Sequence, residues 1–472
     1  MTETSVPAPG QSISEQIAAY AAEFDASHIP REAQARAREL MLDATGIALA
    51  SHGYPFSERA MAAIASLNAG GQSAVIGSAT RLDIRNAALM NGILIHGLDY
   101  DDTHARGVIH ATSSIFPTVM SLAADLNRSV QDMVSAYVLG VEVATRLGSV
   151  VKGGFHQVGF HPTGLIGAFG CTVAAGWLLG LNEQQLVDAQ GLVLSMGAGS
   201  MEFLEDGAWN KRMHPGWAAV SGITAATLGK HGYKGTRLAY EGRFGLYRSH
   251  LGEHAACDLA LATQGLSKEW EVTQISVKPM PACHFTHAAV DAAIRIHRQG
   301  VRPQDIERIE VLIPQEVIKT VCEPQDSKRK PANSYEAQFS IPYLVGTALV
   351  HGRLTLDDID PPALFDPAVL ALAQRIDYRA DPDSAFPKYY DGEVIVQLRD
   401  GTTIREREPV NRGASDRPLS RDDICIKFRD NAHRQVSPER AEVIESLFIG
   451  SDAGMSARAL AESLGQTETV SA

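Results

Sequence analysis

His96-Gly97-Leu98-Asp99-Tyr100-Asp101-Asp102-Thr103-His104, followed by His110, gathers three carboxylates and three imidazoles into fifteen residues. Such side chains collect where protons are moved, metals are held or anions are bound. The run before it, from Asn86 to His96, is rich in alanine, leucine and isoleucine and predicts a helix that delivers His96 to the cluster. His96 and Asp99 are three apart, which predicts that they share one helical face. Ala105-Arg106-Gly107 breaks the pattern, so His104 and His110 are expected on a loop.

Outward from this stretch the chain reads as helical. Ser12-Ile13-Ser14-Glu15 is a capping box that opens a helix over Ile13–Phe24, and Val130, Met133, Val134, Tyr137, Val138 and Val141 form one apolar stripe. Ser73–Gly77 is a short extended exception, and no fixed-period repeat occurs. The texture changes near residue 270. Lys268–Lys278 reads as extended, Thr286–Arg298 as an amphipathic helix stopping at Gly300, and Ile309, Val311 and Ile313 as a strand face. Glu393–Leu398 and Thr402–Glu406 flank Asp400-Gly401 as a hairpin. Arg421–Arg434 and Pro438–Phe448 are helical again. The expected fold is mainly α with α+β. A helical domain is built from residues 12–269 and 411–465, with an α/β domain over 270–410 and disordered tails at 1–11 and 466–472. A domain inserted in this way is expected to leave a cleft at its hinges for a ligand.

Forty-two Lys and Arg against 55 Asp and Glu give a net charge of −13 with no basic block, which argues against nucleic acid or an anionic membrane as partner. Local lysines can still bind an anionic substrate. The five cysteines, Cys171, Cys257, Cys283, Cys322 and Cys425, are scattered and fit reduced thiols in a cytoplasm. The polar, acidic start carries no signal-peptide pattern, so a cytoplasmic protein is expected. Between Lys152 and Glu183 no charged residue occurs. The five glycines between Gly164 and Gly180 favour a helix packed inside a bundle over a membrane span.

Four more clusters carry chemistry. His161-Pro162-Thr163-Gly164 stands at the mouth of the uncharged helix. Lys211-Arg212-Met213-His214 sets three cations in four positions. Lys278 leads through Pro279 to Cys283, His284 and His287, and Tyr335-Glu336 leads to Tyr343. Each has a plain structural alternative. His96 and Asp99 can be a buried pair, Lys211 and Arg212 a solvated surface, Cys283 an inert thiol and His287 a satisfied core residue. A metal at the first cluster is a sharper rival, although its spacing matches no standard ligand motif. Gly197-Ala198-Gly199 is no dinucleotide fingerprint, and no Gly-x-Ser-x-Gly elbow occurs.

Taken together and in this order, His96 through Thr103, His161-Pro162, Lys211 with His214-Pro215-Gly216, Lys278 through His287, and Glu336 through Tyr343 resemble the MmgE/PrpD family. That family includes 2-methylcitrate dehydratase, cis-aconitate decarboxylase and iminodisuccinate epimerase. The resemblance spans about residues 13 to 450. It implies a helical domain, a smaller α/β lid domain, a homodimer, and no metal or organic cofactor. It carries over Asp99, Thr103, His110, His161, Lys211, Lys278 and Tyr343. Asp99, His110, His161 and Tyr343 are then the expected catalytic groups. Thr103, Lys211, Arg212, Lys278, Cys283 and His284 are the expected substrate-binding groups. Two departures from the decarboxylase pattern, one extra residue between Thr103 and His110 and Cys283 where a histidine is expected, count against decarboxylation.

The implied function is a cofactor-independent lyase, foremost a dehydratase of a small hydroxy di- or tricarboxylic acid such as 2-methylcitrate. Its alternatives are a cis-aconitate-type decarboxylase and an epimerase of the iminodisuccinate type. A non-catalytic binding protein on the same scaffold is a further alternative. All three reactions develop negative charge on carbon beside a carboxylate, which fixed cations must stabilise and a base or acid must serve. Whether Asp99 or His161 is the base stays open at this stage.

Overall fold

The computed structural model of the chain describes residues 10–450 and 454–466. The expected disordered tails lie outside the described residues, apart from Gly10, Gln11 and Gln466. Two compact units are present. Of the described residues, the first comprises 10–97, 101–275, 420–450 and 454–466, and the second Leu98–Tyr100 and Ser276–Leu419.

The first unit is a helical bundle with one small hairpin, Ser73–Val75 with Ser78–Leu82. Its first helix, Ile13–Ala22, starts at the expected capping box, with Ser12 and Glu15 satisfying each other's backbone N–H groups. Helices Ile84–His96 and Asn210–Lys230 pack together, as do Val130–Ser149 and Gly167–Leu179. Both crossings rest on glycines. A Cβ at Gly92 would meet the Gly216 backbone at 2.5 Å, and one at Gly170 would meet the Gly140 carbonyl at 2.6 Å. The uncharged run forms helices Pro162–Leu165 and Gly167–Leu179. By length and composition Pro162–Leu179 could cross a membrane, yet 89% of that window is buried within the structure. The chain's end returns to this unit. Helix Arg421–Ala432 lies along Arg31–Ser51, where Phe428 covers Gly46 and Lys427 reaches Asp43 at 2.8 Å.

The second unit holds a four-stranded sheet in the order Ile376–Ala380, Ile306–Ile313, Gly392–Leu398, Thr403–Glu408. The first pair is parallel and the others antiparallel. The expected hairpin is present, with Gln397 opposite Thr403 and Gly401 at φ 89° in the turn. Ile309, Val311 and Ile313 are buried, as their alternation predicts. Helices His287–Arg298 and Ile341–His351 pack with each other, and the former also covers the hairpin.

Three expectations differ from the structure. Lys268–Lys278 is extended only at Ile275–Ser276. Before that, Glu271–Gln274 is a 3-10 turn, and Arg36 donates to the Ile275 carbonyl at 2.8 Å, which keeps the segment through Ile275 in the first unit. At the other boundary, Asn411 bonds His284 and the Val277 N–H donates to the Gly413 carbonyl, so residues 411–419 stay with the second unit. Finally, helix Ile84–His96 ends at His96, and Asp99 lies beyond it at φ 49°. His96 and Asp99 therefore share no helical face.

Candidate active site

Four imidazoles meet in the first unit, each placed by a helix end. His96 is the last residue of its helix, His110 caps Ala111–Asp125, and His161 caps the turn whose first residue is Pro162. His214 lies in the second turn of Asn210–Lys230. The His96 ring centroid is 4.8 Å from that of His110 and 5.4 Å from that of His161, and His161 is 5.3 Å from His214. All four are buried. His96 Nδ1 lies 2.7 Å from Asp101, which also stands 3.5 Å from His110 Nδ1. The partner of His96 is thus Asp101, five residues on, rather than Asp99. His110 Nδ1 donates to the Asp102 carbonyl at 2.8 Å, and the Nδ1 atoms of His161 and His214 are 3.1 Å apart.

The electrostatics favour neutral rings at His161, His214 and the neighbouring His156. Burial first, then the neighbouring His96, Lys211, His214 and His110, hold His161 well below its ordinary value. Burial, His96 and Lys211 bring His214 down to about 4, and burial with Lys211 does the same for His156. Lys211 is buried and its charge acts on these three rings, so it belongs to the cluster and is not a solvated surface group. Asp102 moves the other way, to about 7, because burial opposes its charge and Asp101 and Asp43 repel it. Thr103 is buried beside this sequence, its hydroxyl without a hydrogen-bond partner among the described residues.

Thr103–His104 is a short strand rather than the expected loop, and the tight loop that follows it to the helix cap at His110 is closed by the mutual backbone bonds of His104 and Ile109, with Val108 at φ 50°. A β-branched residue in the left-handed region is strained. His104 holds the loop from inside. Its Nδ1 accepts from the Gly107 N–H at 3.0 Å, which fixes the proton on Nε2 for donation to Glu271 at 2.9 Å. Burial keeps His104 below its ordinary value, so it is neutral near pH 7. A terminal nitrogen of Arg106 lies 2.6 Å from both Glu271 oxygens, and Arg146 stands 3.6 Å from the same carboxylate. Although burial alone would raise it, these partners carry Glu271 down to about 2.

In the second unit, Lys278 is 1% exposed and donates to both the carbonyl and the carboxylate of Asp99, at 2.6 and 2.9 Å. Tyr100 donates to the Pro279 carbonyl at 3.1 Å, and Gln338 donates to the Leu98 carbonyl, which fixes the tripeptide on both sides of Asp99. Cys283 donates its N–H to the Gln338 carbonyl at 2.8 Å. His284 accepts from Asn411 at 2.8 Å through Nε2, and His287 contacts the Ala282 carbonyl at 3.0 Å.

One expected site residue is used otherwise. Tyr343 is fully buried, and its hydroxyl donates to the Asp358 carbonyl at 2.9 Å, with Ala363 at 3.3 Å. Burial pushes it up to about 12. Its proton serves the second unit's own backbone. Arg212 is stacked 4.4 Å over the Phe56 ring and lies 5.8 Å from Trp209, a packing role for its plane. Three participants escaped the sequence reading as site residues. His96 and His214 were visible as residues, but only the fold turns them toward His161. Glu271 lies 167 positions from His104 and no local pattern marks it.

Comparison with known proteins places these residues in context. Residues 15–257 match the MmgE/PrpD N-terminal domain and residues 280–450 the MmgE/PrpD C-terminal domain. A cis-aconitate decarboxylase-like protein of Aspergillus oryzae is 26% identical over 460 residues, covering 93% of this chain and 95% of that protein. The cis-aconitate decarboxylase of Homo sapiens is 29% identical, covering 77% of this chain and 75% of its own. The mitochondrial 2-methylcitrate dehydratase of Yarrowia lipolytica is 23% identical over 71% of this chain and 67% of its own. With both domain types matched in order, and with the fold and residue clusters described above, the chain belongs to the MmgE/PrpD family.

Proposed function

We propose that this protein is a lyase that removes water from a small hydroxy di- or tricarboxylic acid such as 2-methylcitrate. The observation that carries the reading is the set of neutral, buried imidazoles beside Lys211. Dehydration begins with removal of a proton next to a carboxylate, and a neutral imidazole accepts one. Lys211 supplies positive charge for the carboxylate on which negative charge builds. Burial is the main cause that keeps the His161 and His214 rings neutral in the free enzyme, and the charge of that lysine adds to it. An anionic substrate offsets its field and raises their basicity when it is needed. His161 is the base in this reading, with His214 behind it as proton relay. His110 relays the proton taken up by His161 to the departing hydroxyl, so that the proton removed from carbon leaves in the water formed. Within the second unit, Lys278 and Asp99 form a buried pair whose lysine is of the same carboxylate-binding type.

A second reading, cis-aconitate-type decarboxylation, is favoured by the relatives of that name, which match up to 96% of the chain. Incubation with 2-methylcitrate, citrate, cis-aconitate and iminodisuccinate separates the readings by product mass. Loss of water supports the proposal, loss of carbon dioxide replaces it with decarboxylation, and configurational change at constant mass replaces it with epimerisation. Catalysis is expected to need no metal, so activity should survive chelation.

The chain is also proposed to act as a homodimer. Trp209, Met213 and Trp217 recur every fourth residue and are 42–44% exposed, an apolar stripe suited to self-association. Light scattering should give twice the chain mass, and Trp217→Glu should halve it.

A further inference from the structure

The imidazole cluster gathers lone pairs with few protons to separate them. His96 Nδ1 faces Asp101 at 2.7 Å, while its Nε2 is buried with no hydrogen-bond partner among the described residues. His110 Nδ1 donates to the Asp102 carbonyl at 2.8 Å. His161 and His214 face each other through Nδ1, so one of these rings must donate and the other accept. With His161 as donor, its Nε2 carries a second lone pair. One ring nitrogen from each of His96, His110 and His161 lies within 4.8 Å of the other two. Buried nitrogen lone pairs held this close repel unless a proton or a cation comes between them.

We propose that His96, His110 and His161 form an inhibitory site for a borderline divalent ion such as Zn²⁺, which competes with the substrate. Imidazole nitrogen is the preferred donor for such ions, and three buried rings offer it within reach of one another. A tetrahedral ion with bonds of about 2.0–2.1 Å sets its nitrogen ligands about 3.4 Å apart, so ring rotations that close little more than about 1 Å complete the site. Asp101 stands behind His96 as the carboxylate that orients and strengthens a metal-binding imidazole. Lys211 opposes the cation, which should keep binding moderate and reversible. Ion binding stands on the geometry alone. Only its competition with substrate rests on the proposed function, because the ion would occupy the nitrogens that move protons.

Calorimetric titration of the chelator-treated full chain with ZnCl2 tests the site without reference to turnover. One ion per chain is expected, with a rise in Tm and, for Co²⁺, the visible bands of a four-coordinate ion. His96→Gln and His110→Gln should each weaken binding by about tenfold or more. Circular dichroism shows whether each variant is folded, and His110, on the loop, tolerates change better than His96. Zn²⁺ should raise KM for whichever acid is turned over, with recovery on adding EDTA. No saturable uptake at about 100 μM, or uptake unchanged in both variants, would overturn the proposal. So would an EDTA-treated enzyme that is inactive and revived by the ion, which would make the metal a resident cofactor. Specific ion binding with no acid turned over would uphold the site and reject the proposed reaction.

Discussion

At the scale of single residues, the chemistry is set by which charges burial permits. His161 and His214 stand below the ordinary histidine range because their rings are buried near Lys211. Their Cε1 proton resonances should therefore stay at the neutral position from pH 8 to pH 5.5, with no inflection near 6.5, in an NMR titration of histidine-labelled protein. The linkage has a definite sign. The unfolded state takes up a proton near 6.5 and the folded His214 only near 4, so this group removes stability as pH falls through that interval. Asp102, held up to about 7, has the opposite effect. The folded state binds its proton first, so it adds stability as pH falls from 7 toward 4. Asp102→Asn should thus show its greatest stability relative to wild type at pH 8, and urea midpoints should show that advantage shrinking by pH 5. Lys278 gives a second test. It is buried on Asp99, so Lys278→Met leaves a buried carboxylate uncompensated and should cost about 3–5 kcal/mol. Lys278→Met combined with Asp99→Asn should recover much of that in denaturant unfolding, although activity should stay low.

Among the elements, the segment from Thr103 to His110 depends on a carboxylate far away in sequence. Glu271 receives His104 and Arg106 from that segment and Arg146 from helix Val130–Ser149. Glu271→Gln should loosen the loop and shift His110. The expected result is a lower kcat with a smaller change in KM, together with faster tryptic cleavage after Arg106, whose side chain is already 57% exposed. Unchanged cleavage would show that the strained loop holds itself. The helix crossing at Gly92 and Gly216 governs the other side of the cluster, since these two helices carry His96 and His214. A methyl at Gly216 would meet the Leu89 carbonyl at 2.3 Å. Gly216→Ala should cost about 1–3 kcal/mol or more, and Tm should fall accordingly. Local rules made such elements readable. A capping box specified the start at Ile13, and the alternation of Ile309, Val311 and Ile313 specified a strand. The chemistry-bearing types were readable too, because imidazoles and carboxylates crowd one short stretch. What the sequence could not convey was orientation. A helix that stops at His96 exchanges Asp99 for Asp101 as its partner, and a tyrosine on an apolar helix gives no sign that its hydroxyl serves the Asp358 carbonyl.

For the whole molecule, the return of the chain's end to the first unit is structural necessity rather than trailing sequence. Phe428 fills the space over Gly46, and Lys427 pairs with Asp43, whose carboxyl burial still raises above its ordinary value and which that lysine pulls back in part. Deleting Ser420 onward should expose that apolar face and leave Asp43 unpaired. The shortened chain should lose the cooperative unfolding transition seen by calorimetry for the full chain. Within the second unit the path of the chain has another effect. Lys278 belongs to the long segment Ser276–Leu419, but the carboxylate it holds comes from Leu98–Tyr100, 179 positions earlier. Recombination between family members therefore has a hidden linkage. A crossover that transplants 276–419 as one block parts the lysine from the aspartate it was selected with, and a chimaera keeps that inheritance intact only if residues 98–100 travel with it.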